Sequence, residues 1–240
     1  MHRTVRNAIA IATLAATGAA AHAQTSSLAS PLKKHGGKFG WSVSGVPDLS
    51  GDGRGDFIVG AEAEPARNNP EAGRVYVYSG VNGQLLRIII PPTNQIIGTF
   101  GWSVCGVPDV TGDGRGDILV GGIWEMDPAG KICGRAYLFN GANGRMVRAW
   151  VAPSRQDNAA FGWAMAWVPD TDGDGKVDFL ISAPFETVGP RYSAGRVYLI
   201  SGGTGRVLRI FFSPNFQNDG NFGFDVAGIQ DINGLSLIHI

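Results

Sequence analysis

The chain has 240 residues, 20 basic and 20 acidic, and no formal net charge. Residues 1–23 hold Arg3 and Arg6 and no acid; without them 18 basic residues face 20 acidic ones, so no basic surplus argues for nucleic acid or an anionic membrane. Glycine supplies 36 of the 240 residues, interleaved with apolar and aromatic ones, which excludes a collagen-like or low-complexity chain and fits short strands joined by tight turns.

In chain order, the first element is a secretory signal. Arg3 and Arg6 precede a small-residue apolar stretch from Ala8 to Ala21, and Ala21-His22-Ala23 forms an A-x-A cleavage site before Gln24. The stretch is shorter than the roughly 20 residues a bilayer-spanning helix takes. No other segment reads as transmembrane. The mature chain is expected to be secreted: extracellular, periplasmic or at the cell surface. Export would permit a disulfide between Cys105 and Cys133.

A repeat then fills the rest. Segments beginning FGWSVSGVPDLSGDGRGD, FGWSVCGVPDVTGDGRGD, FGWAMAWVPDTDGDGKVD and FGFDVAGIQDING start at Phe39, Phe100, Phe161 and Phe222, each 61 residues after the last. Within one unit four runs read as strands: Phe39 to Val46, Asp56 to Ala61, Arg74 to Tyr78 and Gln84 to Ile90. Asn82-Gly83 and Asn143-Gly144 suit hairpin turns with positive φ. No stretch after residue 24 has a helical period. Four antiparallel strands per repeat describe a propeller blade. The expected fold is therefore an all-β propeller arc, with blades at 39–99, 100–160 and 161–221 and a partial fourth at 222–240. The repeated Phe and Trp of each first strand are expected in the core between blades. Cys105 falls in a first strand and Cys133 at the start of a third. Those strands are not neighbours, which puts a disulfide out of reach and predicts two reduced, buried thiols.

Each blade carries an acidic loop between its first two strands. Loop 1 holds Asp48, Ser50, Asp52, Arg54 and Asp56; loop 2 holds Asp109, Thr111, Asp113, Arg115 and Asp117; loop 3 holds Asp170, Asp172, Asp174, Lys176 and Asp178. Oxygen side chains recur at positions 1, 3, 5 and 9. Position 7 (Arg54, Arg115, Lys176) is expected to offer its backbone carbonyl, with its cationic side chain pointing away. Calcium takes six to eight oxygen ligands in a flexible shell, and glycines at positions 4 and 6 let the loop bend around it. One Ca2+ per complete loop, three in all, is expected. Loop 3, with four carboxylates, should bind tightest. An EF-hand is excluded, because position 12 is Val59, Val120 or Ile181 inside a strand rather than an acid before a helix. Asp231 and Asn233 of the partial fourth loop are not expected to bind. Arg54-Gly55-Asp56 and Arg115-Gly116-Asp117 spell an adhesive tripeptide, but their acids are assigned to the metal and are not free to be read.

Phe-Gly at the repeat start, the Asp/Gly loop, and Gly60-Ala61 or Ser182-Ala183-Pro184 after it resemble the FG-GAP repeat. That repeat builds the propeller of integrin α subunits and of many secreted bacterial proteins. The resemblance runs from residue 39 to about 234 and departs at Gly121-Gly122. It implies a closed ring, usually of seven blades, of which three complete units are present. Residues 24–38 share the register, because Pro31, Pro92, Pro153 and Pro214 are 61 apart, and read as a linker or a ring-closing outer strand. The register fails at Leu235 and His239, where it predicts Asp. The tail 235–240 resembles a translated sequencing adapter, so the repeat is expected to continue past Gly234.

No histidine lies between residues 39 and 222, which removes Ser-His, Cys-His and His-zinc chemistry from the blades. The sialidase-type Asp box is absent. Glu62, Glu64, Glu71, Glu125, Asp127 and Glu186, after the second strands, are expected as solvated loop charge. Loops 62–72, 123–133 and 184–194, with linkers 91–99, 152–160 and 213–221, keep their lengths but vary in residues such as Trp124, Met126, Phe185, Tyr192 and Phe216. Equal frame with varied loops is what a recognition face requires. The expected function is a secreted, calcium-binding, non-enzymatic scaffold for recognition of, or adhesion to, an extracellular protein or glycan. The alternative is an accessory propeller of a secreted hydrolase acting on glycans or lipids; a structural surface repeat with no specific ligand is a third class.

Overall fold

The computed structural model describes residues 27–93 and 95–229; the signal segment, Asp231, Asn233 and the break after Gly234 lie outside the described residues. Among the described residues there are strands and turns and no helix, so no helix is long and apolar enough to cross a membrane. The strands are β1 (Phe39–Val46), β2 (Asp56–Ala61), β3 (Glu71–Tyr78), β4 (Leu85–Ile89), β5 (Ile97–Val107), β6 (Asp117–Gly122), β7 (Arg135–Phe139), β8 (Met146–Trp150), β9 (Met165–Val168), β10 (Asp178–Ala183), β11 (Arg196–Ile200) and β12 (Val207–Phe211). Each run of four pairs antiparallel in sequence order, giving three propeller blades. A short parallel contact, Glu71 with Ile97 and Gly73 with Phe100, joins β3 to the entry of β5 and so links the first two blades.

The pairs Val46–Asp56, Val107–Asp117 and Val168–Asp178 close the acidic loops at the same point in each blade. The second strands lie within the stack: every residue of β6 and β10 is buried, which is why they read as unbroken apolar runs. Between blades 1 and 2, Val46, Ile58, Val75, Val77 and Ile89 meet Phe100, Ile118, Val120, Tyr137 and Phe139. Between blades 2 and 3, Leu119 and Leu138 meet Phe161, Phe179, Ile181 and Tyr198.

The tryptophans depart from expectation. Phe100 and Phe161 are fully buried, but Trp41 is 48% exposed. A bulge explains the split. In β1 the partners step from Phe39–Ala61 to Ser42–Gly60, and in β5 from Phe100–Gly122 to Ser103–Gly121. Gly40 and Gly101 carry the bulge at φ 86° and 88°, a conformation glycine adopts without steric cost. The two extra residues turn each Trp away from the face its Phe occupies. Trp41, Trp102, Trp163 and Phe224 instead form a ladder with centroids 4.9, 4.8 and 5.0 Å apart. Lys38 Nζ covers the outer face of Trp41 at 5.0 Å.

Residues 27–38 hold turns and no strand. They nevertheless follow the repeat path. Lys38, Thr99, Ala160 and Asn221, spaced by 61, share positive φ of 54°, 53°, 55° and 47°. Leu28 packs, alongside Phe39 and Phe57, against the cluster of Val59, Ala61, Tyr76 and Tyr78, much as Ile89 packs against blade 2. Cys105 and Cys133 are buried free thiols, and Cys133 precedes β7 rather than beginning it. Burial pushes the Cys105 thiol up to about 11.

The acids expected as solvated loop charge divide. Glu71 is exposed, but Glu62, Glu64, Glu125, Asp127 and Glu186 are buried. A buried carboxylate is tolerable when donors answer it. Glu64, Glu125 and Glu186 each accept from the tyrosine twelve residues on (Tyr76, Tyr137, Tyr198) and from a hydroxyl of the preceding linker (Ser30, Thr93, Ser154). Glu62 pairs with Lys38, Asp127 with Arg155 at 3.6 Å, and Glu186 with Arg196 at 3.3 Å. A second clamp sits beside the first. The Gln95 amide accepts from Met126 N–H at 2.5 Å and donates to Met126 O at 3.1 Å; Gln156 does the same with Thr187 at 2.7 and 3.1 Å. Linkers and post-strand loops are thereby locked together in pairs.

Candidate metal centre

The three loops are built alike from backbone N–H groups folded onto the first acid. Asp48 accepts from Gly51 at 2.5 Å and Gly53 at 2.8 Å. Asp109 accepts from Gly112 and Gly114, both at 2.6 Å, and Asp170 from Gly173 at 2.7 Å and Gly175 at 2.8 Å. Glycine is needed at positions 4 and 6, where φ runs from 81° to 94°. Position 5 repeats the device: Asp52, Asp113 and Asp174 accept the N–H of Arg54, Arg115 and Lys176 at 2.9, 3.0 and 2.9 Å.

These bonds set the electrostatics. At Asp48 desolvation, the largest single influence, is outweighed by the combined Gly51 and Gly53 N–H groups, the Arg115 charge and the Ser50 hydroxyl, so its carboxyl sits below the usual range. At Asp109 desolvation is likewise outweighed, by Gly114, Gly112, Asp113 and the Lys176 charge. The Gly175 N–H leads in lowering Asp170, against desolvation and helped by the Gly173, Asp172 and Asp174 N–H groups. All three first acids are thus held ionised.

The acid at position 9 lives differently. Asp56, Asp117 and Asp178 are buried. Asp56 accepts from Leu49, Ser50 and Gly80; Asp117 from Val110, Thr111 and Gly141; Asp178 from Thr171 and Gly202. Each ties its loop to the turn between the third and fourth strands. Desolvation raises Asp117 and Asp178, partly offset by those donors, and Asp172 adds like-charge repulsion at Asp178.

Loop 3 brings its acids together most fully: one oxygen each of Asp170, Asp172 and Asp174 lies within 4.8 Å of the others. Calcium–oxygen distances of about 2.3–2.6 Å place shared ligands no more than about 5 Å apart, so this trio has the right span. Asp178 is not part of the trio. In loops 1 and 2 the third position is a hydroxyl: Ser50 Oγ lies 3.3 Å from Asp48 and Thr111 Oγ1 3.4 Å from Asp109. Two side chains escaped the sequence reading. Asn140 donates to Asp113 and, at 3.0 Å, to Thr111, and Ser201 donates to Asp174 at 3.0 Å. They are 61 residues apart and register with Ser79, so the repeat spacing held the signal. At the opposite, clamped side of the blades, Gln95, Ile96, Ile97, Trp124, Met126 and Ile132 line an open apolar hollow of about 620 Å³.

Blades with this loop define a class, the β-propeller built of FG-GAP repeats, and the FG-GAP repeat model matches residues 39–78 and 161–200. More particularly, the two matched repeats and the matches to integrin alpha subunits over most of the chain support an integrin-like FG-GAP propeller. The chain is 29% identical over 222 residues to integrin alpha-2 of Bos taurus and 29% identical over 216 residues to integrin alpha-11 of Homo sapiens, each over 87% of this chain. It spans 18% and 17% of the length of those relatives. A solved structure described as the Dos1 propeller shares 16% identity at a TM-score of 0.42, over 71% of this chain and 36% of that one. The second repeat, which the family model does not match, is the one where Gly121-Gly122 replaces Gly-Ala.

Proposed function

We propose that the chain is a secreted, non-enzymatic recognition or adhesion scaffold whose blades are stiffened by calcium. Asp170, Asp172 and Asp174, with the carbonyl of Lys176, would hold the ion in loop 3. Asp109, Thr111 and Asp113 with the Arg115 carbonyl, and Asp48, Ser50 and Asp52 with the Arg54 carbonyl, would do so in loops 2 and 1. The position-9 acids Asp56 and Asp178, each accepting three hydrogen bonds, keep a lone pair for the ion while they anchor the loop; Asp117 accepts four and would take the ion only once the Thr111 hydroxyl turns away. Bound calcium supplies charge neutralisation and a rigid cross-link, and the third loop should fill first on charge count.

The observation that carries the recognition reading is the hollow at Trp124 and Met126. It joins divergent, exposed apolar residues to loops fixed by the Gln95 and Glu125 clamps. Solvent-exposed apolar area on a rigid frame is the composition of a binding surface for an extracellular protein or glycan. The test compares the chain with Trp124→Ser/Met126→Ser on panels of immobilised matrix proteins and glycans, in calcium. Binding that the double variant loses supports the reading; no binding, or binding the variant keeps, counts against it. Mass spectrometry of the exported protein checks the signal segment, with a mature N-terminus at Gln24 expected.

A further inference from the structure

Arg115 leaves its own loop. It stands at position 7 of loop 2, yet its Nη1 lies 2.8 Å from Oδ2 of Asp48, the first acid of loop 1 and 67 residues upstream. The guanidinium lies across Gly51, where a Cβ would collide with it. The contact is shielded, with the two side chains 33% and 22% exposed. Lys176, the same position of loop 3, reaches back toward loop 2, its Nζ 3.8 Å from where a Gly112 Cβ would stand. Among the described residues no ion pair reaches Asp170, Asp172 or Asp174. Arg115 thus pairs with the blade before its own, and Lys176 leans the same way, its charge lowering Asp109 without an ion pair.

Resting on the calcium reading above, we propose that Arg115 sets the calcium affinity of loop 1 from across the blade boundary, by holding Asp48 against the ion. The same Asp48 oxygen already accepts the Gly53 N–H at 2.8 Å. Calcium on that carboxylate meets a guanidinium within bonding distance of the same atom, so the two cations repel and compete for one lone pair. Filling loop 1 therefore requires Arg115 to let go, which releases a contact between blades 1 and 2. Calcium load and blade contact are linked at this point, and loop 3 is free of the linkage.

The test is a titration of the 15N-labelled chain with calcium chloride at fixed ionic strength. The amides of Gly51 and Gly53 report on loop 1, and those of Gly173 and Gly175 on loop 3. Arg115→Gln keeps the backbone carbonyl and removes the charge; Arg115→Lys keeps the charge. The expected result is a half-saturating calcium at loop 1 about two- to fivefold lower in Arg115→Gln, on the scale of a partly exposed ion pair, with a smaller change in Arg115→Lys and none at loop 3. An unchanged or raised value at loop 1, or a loop 1 silent in wild type and variant alike, overturns the proposal while loop 3 still titrates. If loop 3 is silent too, the calcium reading falls and takes this one with it.

Discussion

The acids of the Asp/Gly loops and the acids under the linkers recur with the same 61-residue spacing, yet they are held in opposite ways. Asp48, Asp109 and Asp170 face solvent at least in part and are answered by backbone N–H groups, which keep them charged. Glu64, Glu125 and Glu186 are fully buried and are answered by tyrosine and serine or threonine hydroxyls. Recurrence alone does not make an acid a metal ligand. What separates the sets is access to solvent and charge left over after local donors are counted. The position-9 acids stand between: buried like the glutamates, yet bonded to backbone like the loop acids.

The largest effect should come from that intermediate set. Asp117→Ala strips the acceptor from the N–H groups of Val110, Thr111 and Gly141 at once. Unanswered buried donors cost about 1–3 kcal/mol each, so urea unfolding in chelator should show a loss of about 3 kcal/mol or more. Glu186→Ala should come close, because it leaves Tyr198 and Arg196 without their partner. A loss below 1 kcal/mol in both would dissolve the distinction between anchoring and surface acids.

Glu125 sharpens the comparison through pH. Burial raises its carboxyl from 4.5 to about 7, against the hydrogen bonds of Tyr137 and Thr93 and the charge of Arg135, and its Oε1 has no partner. The folded state therefore keeps a proton that the unfolded chain loses above about 4.5. The stability contributed by this group is complete below that value and is lost as pH rises through about 7. Unfolding in chelator should grow easier between pH 5 and 8 by roughly 2 kcal/mol, and Glu125→Gln should flatten that slope. A slope unchanged in the variant would remove Glu125 as its source.

Calcium should act on the loop acids and leave the buried glutamates alone. At about 10 mM calcium and a dissociation constant of about 0.1–1 mM, each filled loop adds roughly 1.4–2.7 kcal/mol. The melting temperature should rise on calcium addition and fall with chelator; an unchanged midpoint would sink the calcium reading. Asp170→Asn/Asp172→Asn should remove the largest share of the rise. The smallest effect belongs to the exposed end of the ladder: Trp41→Ala should cost about 1 kcal/mol or less in thermal unfolding, because the side chain is about half exposed and Lys38 lies over its ring.

Strands, hairpins and loop closure were legible because period-2 alternation and Asp/Gly turns are local signals that a gapless repeat states three times over. β1 and β2 have the bounds read from sequence. The same reading misplaced Trp41, because alternation assumes an unbroken pleat and the bulge at Gly40 breaks it. It also misjudged Glu64, Glu125 and Glu186. Their burial follows from linkers that arrive from the preceding repeat, 32 to 34 residues upstream, bringing Ser30, Thr93 and Ser154. Asn140 and Ser201 were overlooked for the same reason, since each reaches a loop 27 residues before it.

By itself, then, the sequence determined the repeat, the all-β blade and the acidic loop, since each follows from residue types at short, fixed spacings. Tertiary structure alone decided which acids are charged and open, which are buried and clamped, and that Arg115 belongs to the loop of another blade. Those outcomes depend on what neighbouring blades bring within hydrogen-bond reach, and one-dimensional spacing carries no record of it.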